Sequence, residues 1–293
     1  MASGGILETP LARELLDEAS RLGLGLADVL ANGDDAALRP TEIAQPALFT
    51  VECVLHSQLG AAADVVAVAG HSVGEYAACV AAGALAPVDG MRIVVERGRA
   101  MAAMRQGTMS AFLGIDAAEV EQICDEARRT TGETVVVANL NAPGQVVVSG
   151  TEEGIAAATM LARERGVRRV IPLNVSGAFH SPLMAGAAEH FGHTVDGVVL
   201  GDPRVPVVCN VDGEPAYDSE TLGTRLRRQL TEPVRWEDSV RRMVALGAEM
   251  LVEVGPGSVL TGLARRIVPG IRAVSLSRLD AARGFVALEA SAS

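Results

Sequence analysis

Residues 70–74 read Gly70-His71-Ser72-Val73-Gly74. A serine with a glycine two places to either side, between the apolar run DVVAVA (64–69) and an Ala-rich stretch (75–85), fits a nucleophile on a tight strand-to-helix turn. The glycines allow the turn, and the hydroxyl stands at the C-terminal edge of the sheet. The helix that follows points N–H groups at any oxyanion formed beside Ser72, the Val73 N–H nearest. A Gly-rich strand-to-helix turn with a bystander serine satisfies the same short pattern, so the flanking elements carry the assignment.

A serine nucleophile needs a base, and the chain has five histidines. His56 lies in a helical stretch, and His190 and His193 flank Gly192 in another. His71 adjoins Ser72, but neighbours on a turn point apart. His180, in SGAFHSPLM (176–184), lies in a loop just after a predicted strand, where Pro182 keeps a helix from starting. It is the candidate base; a capping or surface histidine is the other reading. Arg97 alone reads as a surface ion-pair partner in an acidic chain. Asn141, in Asn-Ala-Pro-Gly, reads as an ordinary turn residue.

The elements that must position these groups follow from periodicity. Leu11, Leu15, Ala19 and Leu22 repeat at helical spacing before Gly23 and Gly25, and a second helix is expected over 41–59 with Thr41 as N-cap. The run 64–69 has the composition of a strand buried on both faces. From residue 107 the pattern becomes strand, helix, strand, strand, helix, strand through VRRVIPLNV (167–175), the order of a ferredoxin-like split unit. Beyond it, strands are expected at VPVVCNV and EMLVEVG, and helices over 219–230, 236–246 and 259–267. The predicted architecture is an α/β parallel-sheet core, residues 1–106 and 176–293, interrupted by a small subdomain over 107–175.

Composition narrows the chemistry. The 293 residues carry a net charge of −11, and all 25 basic residues are arginines. The absence of lysine removes Schiff-base and P-loop chemistry, and the acidic balance argues against nucleic acid. The four cysteines show no ligand spacing, so neither a zinc site nor a disulfide framework is expected. The start lacks a signal-peptide pattern and the apolar window 59–85 is broken by Asp64, His71 and Glu75, so a cytoplasmic protein without membrane attachment is expected.

GHSVGE (70–75), VERGRAM (95–101), NAPGQVVVSG (141–150), GAFHSPLM (177–184), RQLTEPVRW (228–236) and EVGPGSVLTGL (253–263), in this order along nearly the whole chain, resemble the malonyl-CoA:acyl-carrier-protein transacylases and the acyltransferase domains of polyketide synthases. The resemblance implies an α/β-hydrolase-like core with a ferredoxin-like insert. It also implies ping-pong transfer of malonyl from malonyl-CoA, through an ester on Ser72 activated by His180, to the phosphopantetheine thiol of an acyl carrier protein, with no metal or resident cofactor. Arg97 then clamps the malonyl carboxylate, Phe179 matches the malonyl-selective form, Asn141 neighbours the site, and the backbone carbonyl of Gln229 orients His180. On that reading the Gln229 side chain matters little. The EVGPGSVL turn is expected to be structural. A monomer is expected, docking its acidic carrier through Arg163, Arg165, Arg168 and Arg169 or Arg225, Arg227 and Arg228. A trans-acting polyketide acyltransferase would look nearly the same. A serine hydrolase would share the turn but place its histidine near the C-terminus. The family's first strand and a PGQGSQ-like loop, which supplies an oxyanion N–H, precede the first residue here. The expectation is a start codon set too far downstream, the alternative an inactive homologue.

Overall fold

The computed structural model describes residues 5–60 and 64–292; the opening residues 1–4 of the start region lie outside the described residues. In chain order the helices and strands are α1 (Pro10–Arg21), α2 (Leu26–Asn32), α3 (Thr41–Ser57), β1 (Val68–Ala69), α4 (Gly74–Ala81), α5 (Pro87–Ala103), β2 (Thr108–Leu113), α6 (Ala117–Thr131), β3 (Val135–Ala142), β4 (Gln145–Gly150), α7 (Glu152–Glu164), β5 (Arg169–Pro172), α8 (Ala185–Asp196), β6 (Val207–Val208), β7 (Pro215–Ala216), α9 (Ser219–Arg228), α10 (Trp236–Ala245), β8 (Met250–Val254), α11 (Val259–Ile267), β9 (Arg272–Leu276) and α12 (Leu279–Ala292). The molecule is of the mixed α/β class.

Local chemistry explains several boundaries. Thr9 accepts the Ala12 N–H at the start of α1, whose first residue is proline, and Gly23 turns the chain away at its end with φ 81°. Thr41 is not the N-cap of α3: it is the first helical residue, and its hydroxyl accepts from Gln45 Nε2 at 2.8 Å. The strand expected over 64–69 shrinks to Val68–Ala69, because only those residues pair with β6 and the preceding Val65 and Val66 are exposed. Pro182 does not keep the helix out. It opens a 3₁₀ turn, Pro182–Met184, that runs into α8, and at a first position its missing N–H costs nothing.

Strand β1 pairs parallel with β6, which pairs antiparallel with β7; β8 and β9 form a separate parallel pair. Residues of α1 to α5, α8 and α9 supply the largest apolar core. A four-stranded antiparallel sheet in the order β3-β4-β2-β5 carries α6 and α7 over a second core that includes Phe112, Val120, Ile123, Val146 and Val148. The two parts are tied where β3 meets the segment before α10: Leu140 N–H donates to Val234 C=O at 2.9 Å and Val234 N–H to Ala138 C=O at 2.8 Å. This rung also places the 229–236 segment beside the turn after β1.

Candidate active site

Between β1 and α4 the chain reverses within four residues. A Cβ on Gly70 would lie 2.0 Å from the Gly74 carbonyl carbon, so only glycine fits there. Ser72 takes φ 52° and His180 φ 55°, the only non-glycine residues with positive φ among the described residues. Left-handed backbone in non-glycine residues marks a constrained site, and these two side chains meet.

The Ser72 hydroxyl and His180 Nε2 are 2.9 Å apart. His180 Nδ1 lies 2.9 Å from the Gln229 carbonyl oxygen and 3.2 Å from that of Glu232. Carbonyl oxygens only accept, so the proton sits on Nδ1 and Nε2 faces Ser72 as acceptor. The arrangement needs no third carboxylate. Burial chiefly, and then the Arg97 charge, pulls the His180 pKa from its ordinary 6.5 to about 3, against the opposing pull of the Gln229 carbonyl. The ring is held neutral through the physiological range.

Arg97 projects from α5 into the same spot and is 1% exposed. It donates through Nη2 to Ser72 Oγ at 3.0 Å, through Nη1 to Gln45 Oε1 at 2.6 Å, and through Nε and Nη2 to Gln229 Oε1 at 3.2 and 3.0 Å. It lies 5.7 Å from the centre of the Tyr76 ring. Among the described residues no carboxylate pairs with it. A buried cation held by neutral amide oxygens has charge to spare for an anion beside the serine.

The Gln229 side chain corrects the expectation that it matters little. Its Oε1 accepts from Arg97 and from Tyr76 Oη, while Nε2 donates to the Ser72 carbonyl at 3.0 Å and to the Glu75 carboxylate. Glu75, raised by burial to about 7, also accepts the Asn210 N–H. Asn141 lies in β3 rather than in a turn, and its Oδ1 accepts from His71 Nε2 at 2.8 Å, with the His71 ring edge-on to Trp236. Asn141 therefore steadies the residue beside Ser72. Phe179 is buried in the main core next to His180. The Val73 N–H has no protein partner among the described residues, whereas the Ser72 N–H is taken by Asn210. The EVGPGSVL turn is closed by its own Glu253, which accepts the Leu260 and Thr261 N–H groups. Gln45 and Asn210 escaped sequence reasoning because neutral amides carry no spacing signal. Their visible trace is only their place beside Pro46 and after an apolar strand.

A strained serine hydrogen-bonded to a neutral histidine, in an α/β protein, is the build of a serine acyl-transfer enzyme. The chain belongs to the acyl transferase domain family, whose model matches residues 12–275. It is 39% identical over 277 residues to the malonyl CoA-acyl carrier protein transacylase of Bacillus subtilis, covering 92% of this chain and 86% of that protein. With the enzyme of the same name from Escherichia coli K12 it shares 39% over 279 residues, 93% and 89% of the two chains. The polyketide biosynthesis protein ThaF of Burkholderia thailandensis is 38% identical over 253 residues, 85% of this chain and 21% of that one. Among solved structures, an acyl-carrier-protein-S-malonyltransferase from Bartonella henselae superposes with a TM-score of 0.89 at 34% identity, covering 97% and 92%. A malonyl-transacylase in complex with a type II PKS acyl-carrier protein gives 0.88 at 32%, covering 98% and 96%.

Proposed function

We propose that this chain carries a malonyl group from malonyl-CoA, through an ester on Ser72, to the phosphopantetheine thiol of an acyl carrier protein, serving fatty-acid synthesis. His180 Nε2 takes the Ser72 proton as Oγ bonds to the thioester carbonyl carbon. The Val73 N–H faces the developing oxyanion. As the carbon–sulfur bond breaks, His180 returns the proton to the departing CoA thiolate. The carrier thiol then attacks the ester by the same steps in reverse, and Ser72 recovers its proton. The reaction as written uses no metal and no resident cofactor.

The observation that carries the substrate choice is the Arg97 guanidinium 3.0 Å from the nucleophile with no carboxylate partner among the described residues. In malonyl the free carboxylate is joined to the thioester carbonyl through a single methylene, so a group that binds it must stand close to Ser72. Guanidinium is suited to bidentate carboxylate recognition, each such hydrogen bond contributing about 1.5–3 kcal/mol. Arg97→Ala is expected to lower kcat/KM for malonyl-CoA by on the order of 100-fold while changing acetyl-CoA far less. Equal losses for the two substrates would return Arg97 to a structural role.

The same reading extends to architecture and partner. The strand order β3-β4-β2-β5 of the insert is that of a ferredoxin-like unit, which supports treating 107–175 as a subdomain within an α/β-hydrolase-like core. The likeness to a transacylase bound to a PKS carrier and to ThaF supports a polyketide carrier as the second acceptor. Transfer rates to the two kinds of carrier protein separate these acceptors. No described helix is long and apolar enough to cross a membrane.

A further inference from the structure

The β1·β6 ladder ends at the pair Ala69 and Val208, where the chain after β1 breaks away to make the nucleophile turn. Beyond that rung the Gly70 C=O and the Ser72 N–H have lost the backbone partners a continuing ladder would give. Buried backbone groups left so are costly. Both are met by one side chain on the neighbouring strand's extension. Asn210 Nδ2 donates to the Gly70 carbonyl at 2.7 Å, and Asn210 Oδ1 accepts the Ser72 N–H at 2.7 Å. Asn210 is fully buried, and its own N–H is held by Glu75 Oε1 at 3.1 Å.

We propose that Asn210 is a positioning residue for the nucleophile: its carboxamide stands in for the missing rung and holds Ser72 in left-handed backbone, aimed at His180. Three features argue for this. Ser72 is strained, so something must over-determine its conformation. Only a group with an acceptor and a donor one carboxamide apart can serve the Ser72 N–H and the Gly70 C=O together; aspartate supplies the acceptor and lacks the donor. Engaging the Ser72 N–H also leaves the Val73 N–H as the open donor next to the hydroxyl. Among the described residues the Asn210 carboxamide bonds only Ser72 and Gly70, so its removal disturbs the nucleophile and leaves in place the Gln45 and Gln229 contacts that hold Arg97.

This role rests on Ser72 being the acyl-transfer nucleophile, and the test separates the two. A fluorophosphonate, which reacts with activated serines whatever their substrate, is applied to the unaltered protein, to Asn210→Ala and to Asn210→Asp, alongside kcat and KM for malonyl-CoA. The reagent's rate constant and kcat are expected to fall together in both variants, by on the order of 10–100-fold, as for a misplaced reacting group. KM for malonyl-CoA is expected to stay within about threefold, since the clamp is untouched. A lowered thermal midpoint with reagent rate and kcat within about twofold of the unaltered protein would make Asn210 merely structural and overturn the proposal. An increase in KM alone would also overturn it. Amide hydrogen exchange in the unaltered protein needs no variant: the Ser72 N–H is expected to be protected and the Val73 N–H to exchange quickly, and equally fast exchange at both would refute the proposal. A fluorophosphonate that fails to label Ser72 in the unaltered protein would instead strike the acyl-transfer reading.

Discussion

Ser72 and His180 both sit in left-handed backbone, a conformation that costs a residue bearing a Cβ about 1–2 kcal/mol. Each is held by hydrogen bonds from outside its own turn: Ser72 by Asn210, and the His180 ring by the Gln229 and Glu232 carbonyls. Because burial and the Arg97 charge depress its pKa to about 3, His180 in the folded protein stays unprotonated where an unfolded chain's histidine, near 6.5, takes up a proton. The unfolded state thus binds more protons between these values, so this residue's contribution to stability is whole above about 6.5 and declines as pH falls toward 3. Ring-nitrogen NMR is expected to show His180 protonated at Nδ1 alone, with shifts flat from about pH 5 to pH 8; a titration centred near 6.5 would contradict the assigned environment. Ser72 was legible from the glycines around it and His180 from its loop. Arg97 and the Gln229 carbonyl were legible only through family resemblance. The three amides at 45, 210 and 229 were not legible in those roles, since what they do depends on partners 52 to 157 positions away.

At the scale of elements, the site depends on how closely α3 and α5 cross, because Gln45 on one steadies Arg97 on the other. Gly98, the residue after Arg97, sets that approach: a Cβ there would lie 2.8 Å from Glu42 Cα and 3.1 Å from the Thr41 carbonyl oxygen, both backbone atoms. Gly98→Ala gains helix propensity of about 1 kcal/mol yet must push α5 off α3. The expected result is a preference for malonyl-CoA over acetyl-CoA reduced on the order of tenfold, through a misplaced Arg97. A raised thermal midpoint with the preference intact would show that the two helices do not set the clamp. The long helices α1, α3, α6 and α7 were readable because an apolar stripe repeats over several turns. The edge between β1 and residues 64–67 was not, since residues 65–69 are apolar throughout and their pairing is decided by β6, far along the chain. Strands β7 and β9 and helices α2, α5 and α12 went unread, the shortest of them being two residues long.

The whole molecule is acidic, yet its transfer partner under the proposed function is an acidic carrier, so docking must use a local basic surface. Of the seven candidate arginines, Arg165 pairs with Glu126, Arg225 with Asp212, Arg227 with Asp196 and Arg228 with Glu232. Arg163, Arg168 and Arg169 on the insert are exposed and make no ion pair among the described residues. Reversing these three to glutamate is expected to raise the KM for carrier protein several-fold at low salt, with acylation by malonyl-CoA unchanged, whereas reversing Arg225, Arg227 and Arg228 does less. A carrier KM indifferent to the insert arginines would move the docking surface elsewhere. The proposed function turns on one covalent event, the ester on Ser72. Its most direct measurement is the intact mass of the protein after brief exposure to malonyl-CoA, followed by addition of acyl carrier protein. The expected result is a gain of one malonyl group, located on Ser72 by peptide mapping, lost when the carrier is added and absent from the Ser72→Ala protein. A malonyl adduct that persists in Ser72→Ala, or that never leaves for the carrier, would contradict the account.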